Sequence, residues 1–89
     1  MGEGSINSAA VSIRRIVEVA LWANATSFVL AHNHPSGLAL PSGEDVRTTQ
    51  LVADALAAVE VCLADHIVVA DGDYVSLAQS GYYRPGERK

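Results

Sequence analysis

The sequence predicts a single α/β domain built around a mixed sheet. Two segments carry apolar residues at the spacing of one helical face, and short apolar runs lie between and after them. Asp71-Gly72 separates the last two runs, as a hairpin turn would. In order, these signals give strand, helix, strand, helix and hairpin, which describes an α/β sandwich with a mixed sheet.

The first third of the chain predicts a strand or extended arm over residues 5–11, followed by a helix. Ser12 suits the cap position before that helix. Apolar residues at i, i+3, i+4, i+7 and i+8 then form one helical face: Ile13, Ile16, Val17, Ala20 and Leu21. We expect Trp22 to pack in the core or in an interface, and Asn24 to end the helix.

The middle of the chain predicts a strand over residues 27–31 and a second helix over residues 43–60. The inner face of this helix is apolar apart from one threonine, and consists of Thr49, Val52, Ala53, Leu56 and Val59. Residues 64–70 and 74–77 then predict two strands joined by a type I′ turn. We assign residues 1–83 to the domain and residues 84–89 to a flexible tail.

Composition limits the class of protein. The 89 residues are 49% hydrophobic and 18% charged, which favours one globular domain over a disordered chain. No apolar run reaches the roughly 20 residues that a membrane helix needs, and no signal peptide is evident. The single cysteine, Cys62, excludes an intramolecular disulfide and predicts a reducing, cytoplasmic location. We expect its thiol to be buried and unreactive.

The charge balance argues against a nucleic-acid partner. Six basic and ten acidic residues give a net charge of −4. Binding to a phosphate backbone requires a clustered positive surface, and the basic residues group only at Arg14-Arg15 and in the tail. We therefore expect weak or no direct binding to nucleic acid, and no membrane contact.

Two histidines and an aspartate form the most informative pattern. His32 and His34 end a strand, where side chains two residues apart point to the same side. Pro35 should end that strand, and Ser42 should open a helix that carries Asp45 in its first turn. Three such ligands leave a fourth tetrahedral position for water, which is the arrangement of a catalytic zinc site.

Asp45 has an alternative interpretation. Ser42 with a carboxylate three residues later also matches a helix capping box. Capping alone does not account for the two histidines, so we favour the ligand role. Glu44 should point away from the metal, because neighbours on a helix diverge by about 100°. His66 and Asp65 are expected to have structural roles, with His66 held by Asp65 or by a backbone carbonyl.

These residues also carry a family resemblance. His32-x-His34-Pro35, followed by Ser42 and Asp45, resembles the JAMM metalloprotease motif of JAB/MPN domains. More narrowly, HNHPSG, PSGED, DHIVV and YVSL resemble the RadC-type bacterial family, whose members are named as DNA repair proteins. The resemblance covers nearly the whole chain, from about Gly4 to Tyr83.

The resemblance implies a three-layer, cytidine-deaminase-like sandwich in which Zn²⁺ is held by His32, His34 and Asp45. It implies that Ser42 helps to stabilise the tetrahedral intermediate of hydrolysis. The general base of the superfamily is a glutamate upstream of the segment that resembles residues 3–7, so we expect a domain incomplete at its N-terminus. An uncovered sheet edge would favour a homo-oligomer. Glu3 is expected to be solvated.

The preferred hypothesis is a zinc hydrolase domain acting on amide or isopeptide bonds of a protein or peptide, inactive or weak without the glutamate. The alternative is a non-catalytic metal-binding or assembly module associated with DNA repair or mobile elements. A zinc nucleobase deaminase is disfavoured, because that chemistry uses His-x-Glu and Pro-Cys-x-x-Cys. The sequence leaves open whether the chain is an enzyme.

Overall fold

The computed structural model describes residues 2–7, 12–34 and 39–85. The predicted order of elements is confirmed: β1 (Gly2–Asn7), α1 (Ile13–Trp22), β2 (Ala25–Asn33), α2 (Gly43–Ala58), β3 (Cys62–Ala70) and β4 (Asp73–Ser76). The expectations for residues 8–11, for the strand end at Pro35 and for the last four residues of the tail lie outside the described residues.

The sheet is mixed, as predicted. Its strand order is β1-β2-β3-β4, with two parallel pairs followed by an antiparallel hairpin. The helices contact one another and the parallel strands, so they cover one face of the sheet together. The described residues therefore form a sheet and one helical layer. A second helical layer, which the three-layer sandwich would add, has no element among them.

Helix α1 begins as the sequence predicts. Ser12 caps it, and its hydroxyl oxygen accepts a hydrogen bond from the Arg15 backbone N–H at 3.2 Å. The buried face is a narrow stripe of Ile16 and Ala20. Asn24 has a positive φ of 53°, a left-handed conformation that ends the helix at the expected place.

Two residues at the end of α1 lie outside the core: Leu21, predicted on the apolar face of the helix, and Trp22, predicted in the core or in an interface. For Trp22 the interface stays a prediction. Leu21 is 56% exposed and Trp22 is 88% exposed, so neither belongs to the core. Ala20 already occupies the buried stripe, and the next helical position is rotated away from the sheet by about 100°. The helix ends at Trp22, before another turn could bring a side chain back to the core.

The core lies between the helical layer and the sheet. Its buried apolar cluster includes residues from both helices and from β2, β3 and the C-terminal segment: Ile16, Ala20, Ala25, Phe28, Leu30, Val52, Leu56, Val61, Leu63, Val68, Leu77 and Tyr83. Thr49, Val52 and Leu56 are buried on α2, which confirms most of its predicted inner face. The helix ends at Ala58, two residues earlier than predicted.

The hairpin confirms one local prediction, and the start of β3 corrects another. Asp71 and Gly72 have positive φ values of 49° and 78°, as a type I′ turn requires. Cys62 is exposed, so the prediction of a buried thiol is wrong. It is the first residue of β3, between the buried Val61 and Leu63, and the alternation along the strand turns it outward.

The described end of the chain is attached to the sheet through Tyr83. Its hydroxyl donates to the Leu63 carbonyl at 2.6 Å, and its side chain is buried. This burial raises the pKa of Tyr83 to about 12. No helix within the described residues is long and apolar enough to cross a membrane.

Candidate metal centre

The carboxyl end of β2 presents two histidines on the side of the sheet that faces the helices. His32 pairs in register with Val68 of β3. The backbone N–H of His34 donates to the Val69 carbonyl at 2.9 Å, which extends the parallel pairing past the last residue of β2. Both imidazoles are partly buried, whereas Asn33 between them is exposed. The predicted alternation is therefore confirmed.

The first turn of α2 contributes the carboxylate through a complete capping box. The backbone N–H of Ser42 donates to Asp45 Oδ2 at 2.8 Å, and the Asp45 N–H donates to Ser42 Oγ at 3.1 Å. The Asp45 side chain is buried, whereas Glu44 beside it is exposed and points away as predicted. Because the box fixes the carboxylate orientation, capping and ligation are compatible roles for Asp45.

The three predicted ligands converge. His32 Nδ1 lies 3.2 Å from Asp45 Oδ1, and His34 Nε2 lies 2.9 Å from Asp45 Oδ2. The two imidazoles meet edge to face, with their centroids 4.9 Å apart. One donor atom from each residue lies within 4.8 Å of the others. Two imidazole nitrogens and one carboxylate oxygen fit the ligands of a catalytic zinc site.

The electrostatics of Asp45 favour a ligand ready to bind a cation. Burial by itself would raise the pKa of this carboxyl group. Hydrogen bonds from the Ser42 backbone and hydroxyl, together with the charges of His34 and His32, outweigh burial and hold the pKa below its ordinary value. Asp45 is therefore ionised at neutral pH, which is the form that coordinates a metal ion.

A fourth residue, His66 of β3, contacts the cluster formed by His32, His34 and Asp45. The sequence predicted only a structural role for it. It is 1% exposed, and its ring nitrogen Nδ1 lies 2.5 Å from the Thr49 hydroxyl oxygen. The sequence predicted Asp65 or a backbone carbonyl as its partner; Asp65 instead accepts a hydrogen bond from the His66 backbone N–H at 2.7 Å. Burial, followed by the nearby charge of His32, lowers the pKa of His66 to about 4.

Asp65 faces the other side of the sheet and serves the hairpin. Its carboxylate accepts hydrogen bonds from the Ser76 hydroxyl and from the Ala78 backbone N–H. Asp65 thus connects β3 to β4 and to the segment after it, which gives specific content to the structural role that the sequence predicted.

The remaining acidic residues near the N-terminus lie away from the cluster. The backbone of Glu3 pairs with Ser27, five residues before His32. That separation is about 16 Å along a strand with a rise of 3.3 Å per residue. Glu18 lies on the exposed face of α1, in ion pairs with Arg14 and Arg15. Asp45 is therefore the only carboxylate in the cluster among the described residues.

Comparisons with known proteins identify the family of the chain. The RadC-like JAB domain family matches residues 1–82. A UPF0758 protein of Photobacterium profundum is 51% identical over 80 residues, covering 90% of this chain and 36% of the relative. A UPF0758 protein of Vibrio atlanticus is 49% identical over 82 residues, covering 92% of this chain and 37% of the relative. The chain thus spans little more than a third of the curated relatives it matches.

Proposed function

The chain belongs to the RadC-like JAB domain family, and we propose that it carries the metal-binding part of a zinc-dependent hydrolase of amide or isopeptide bonds. The convergence of His32, His34 and Asp45 carries this proposal. The donor atoms come from three positions that the fold holds independently: two on a paired strand end and one in a capped helical turn. When bound, zinc supplies Lewis-acid activation of water and of a carbonyl group.

The side chains around the cluster have distinct roles in this proposal. His32 and His34 would hold the ion through Nδ1 and Nε2 respectively, the nitrogens that face the carboxylate. Asp45 adds the negative charge. Ser42 accepts a hydrogen bond from Asp45 through its oxygen, which leaves the hydroxyl proton able to be donated to a developing oxyanion.

One observation favours a second candidate, a metal-binding module without catalysis. Hydrolysis needs a general base, and within the described residues the cluster contains no carboxylate beyond the proposed ligand Asp45. The two candidates predict different results with an isopeptide-linked peptide. Turnover by the zinc-loaded chain, abolished by a chelator, would exclude the second candidate. Metal binding without turnover of any peptide in a broad panel would favour it.

Metal content tests the proposed function directly. We expect about one zinc per chain in the wild type, and loss of the ion in His34→Ala because one of three protein ligands is removed. Asn33→Ala is the matched control, since Asn33 is the exposed neighbour on the same strand. Elemental analysis after dialysis at neutral pH gives the measurement. Equal zinc in the wild type and His34→Ala would refute the site.

A further inference from the structure

His66 stacks against one of the three proposed ligands, His32, and is linked to a second, Asp45, through Thr49. His66 pairs with Leu30 of β2, two residues along the strands from the pairing of His32 with Val68. The rings of His32 and His66 stack nearly parallel, with an interplanar angle of 12° and centroids 6.0 Å apart. On its other side, His66 reaches α2 through Thr49, one turn after Asp45. One buried side chain therefore connects the strand ligand with the helix ligand.

The contacts of Thr49 determine the protonation of His66. The Thr49 hydroxyl oxygen lies 2.6 Å from the Asp45 carbonyl oxygen and 2.5 Å from His66 Nδ1. A carbonyl oxygen can only accept, and a hydroxyl group has one proton to donate. Thr49 must therefore donate to Asp45, and His66 Nδ1–H must donate to Thr49. Two successive hydrogen bonds thus lead from the buried ring to the backbone of Asp45.

The same assignment leaves His66 Nε2 as an acceptor. This atom is buried, and no hydrogen-bond partner for it occurs among residues 2–7, 12–34 and 39–85. A buried acceptor without a partner costs folding free energy. A phenylalanine would fill similar space without that cost, so folding alone gives no reason for an imidazole at this position. The property that phenylalanine lacks is the donor that anchors Thr49.

We propose that His66 is a positioning residue of the metal centre, which orients Asp45 through Thr49 and supports the ring of His32 by stacking. The inference rests on the proposed function, because it assigns the residue a part in metal binding. Outer-shell partners that orient ligands typically contribute 10–100-fold to metal affinity. The effect of His66 should therefore appear in affinity and not in the stability of the metal-free fold.

Titration with Co²⁺ at neutral pH tests the proposal. We expect His66→Phe to bind Co²⁺ at least about 10-fold more weakly than the wild type, with its unfolding free energy unchanged or higher. Thr49→Val should also weaken binding, whereas Thr49→Ser keeps the hydroxyl and should restore it. Leu56→Ala is the control for stability loss alone, since Leu56 is buried on α2 outside the cluster. It should destabilise the fold and leave the Co²⁺ affinity unchanged.

The outcomes separate the two proposals. No Co²⁺ or zinc binding by the wild type would refute the proposed function. Binding by the wild type with equal affinity in His66→Phe would overturn the inference and leave the function intact. Nitrogen NMR of the metal-free chain gives an independent measurement, in which the proton of His66 is expected on Nδ1. A proton on Nε2 would also overturn the inference.

Discussion

Both helices begin with an N-cap serine, but the residues that the two serines cap have different roles. Ser12 and Ser42 are both N-cap serines, and each accepts a hydrogen bond from the backbone N–H three residues later, at 3.2 Å and 3.1 Å. In α1 that residue is Arg15, an exposed side chain paired with Glu18. In α2 it is Asp45, which is buried, closes the capping box and meets both histidines. Among the described residues, only the second cap therefore belongs to the candidate metal centre.

Position in the sheet explains the difference. The parallel strands of a sheet fed by crossover helices all end on one edge, and β2 places its histidines there. Helix α2 starts immediately after that edge, so its first turn faces the histidines. Helix α1 follows the edge strand β1, and the residue that its cap serine contacts, Arg15, is exposed and paired with Glu18. The same local motif thus has different neighbours in the two helices.

Removing the charge of Asp45 should have the largest effect, a loss of metal affinity at the second cap. Asp45→Asn keeps an oxygen that can accept from Ser42, and so retains much of the cap, but it loses the anionic ligand. We expect metal affinity to fall by at least about 100-fold, more than the loss of an outer-shell partner. Isothermal titration with zinc measures the change. Affinity within error of the wild type would mean that Asp45 serves only as a cap, like the residues of α1.

Removing each cap hydroxyl should give the second-largest difference between the two helices. Ser12→Ala and Ser42→Ala should each lower the unfolding free energy by about 1 kcal/mol. Only Ser42→Ala should also weaken zinc binding, by roughly 10-fold, because its hydroxyl helps to hold the turn that orients Asp45. Urea unfolding and zinc titration on both variants provide the comparison. A matching loss of affinity in Ser12→Ala would show that the effect is global.

Low pH should produce the smallest of these effects, a difference in unfolding free energy between the wild type and Asp45→Asn. The pKa of Asp45 is lowered in the folded state, so its stabilising effect is complete above an unfolded pKa of about 3.9 and is lost as pH falls through the folded value. We expect the metal-free wild type to lose more unfolding free energy below pH 4 than Asp45→Asn does. Glu44→Gln, an exposed change in the same turn, should behave as the wild type. Identical acid profiles for all three would contradict the assignment.

The local parts of the site could be predicted from the sequence. Strand alternation placed His32 and His34 on one side, and the start of a helix at Ser42 placed Asp45 in the first turn. These rules operate over a few residues, and the same is true of the turn at Asp71-Gly72. The two histidines and the aspartate themselves predicted a zinc site. The family resemblance supplied the expectation of amide or isopeptide hydrolysis, which no local pattern contains.

The tertiary parts could not be predicted. The role of His66 depends on its pairing with Leu30, and that register follows a shift between Phe28 and Val29 that no residue pattern marks. Thr49 meets His66 only once α2 has packed on β3. Strand alternation turns Cys62 outward once Val61 and Leu63 are buried, but which face of β3 is covered depends on the packing of other elements.

The exposed indole of Trp22 makes the fluorescence of this chain sensitive to what lies at the end of α1. Trp22 is its only tryptophan, and it is 88% exposed at the end of that helix. Its fluorescence should therefore be that of an indole in water, and it should be quenched readily by dissolved iodide. A protein that docked on this end of α1 would shift the emission to shorter wavelength and protect it from quenching. Binding of a partner at α1 could thus be detected by intrinsic fluorescence, without any added label.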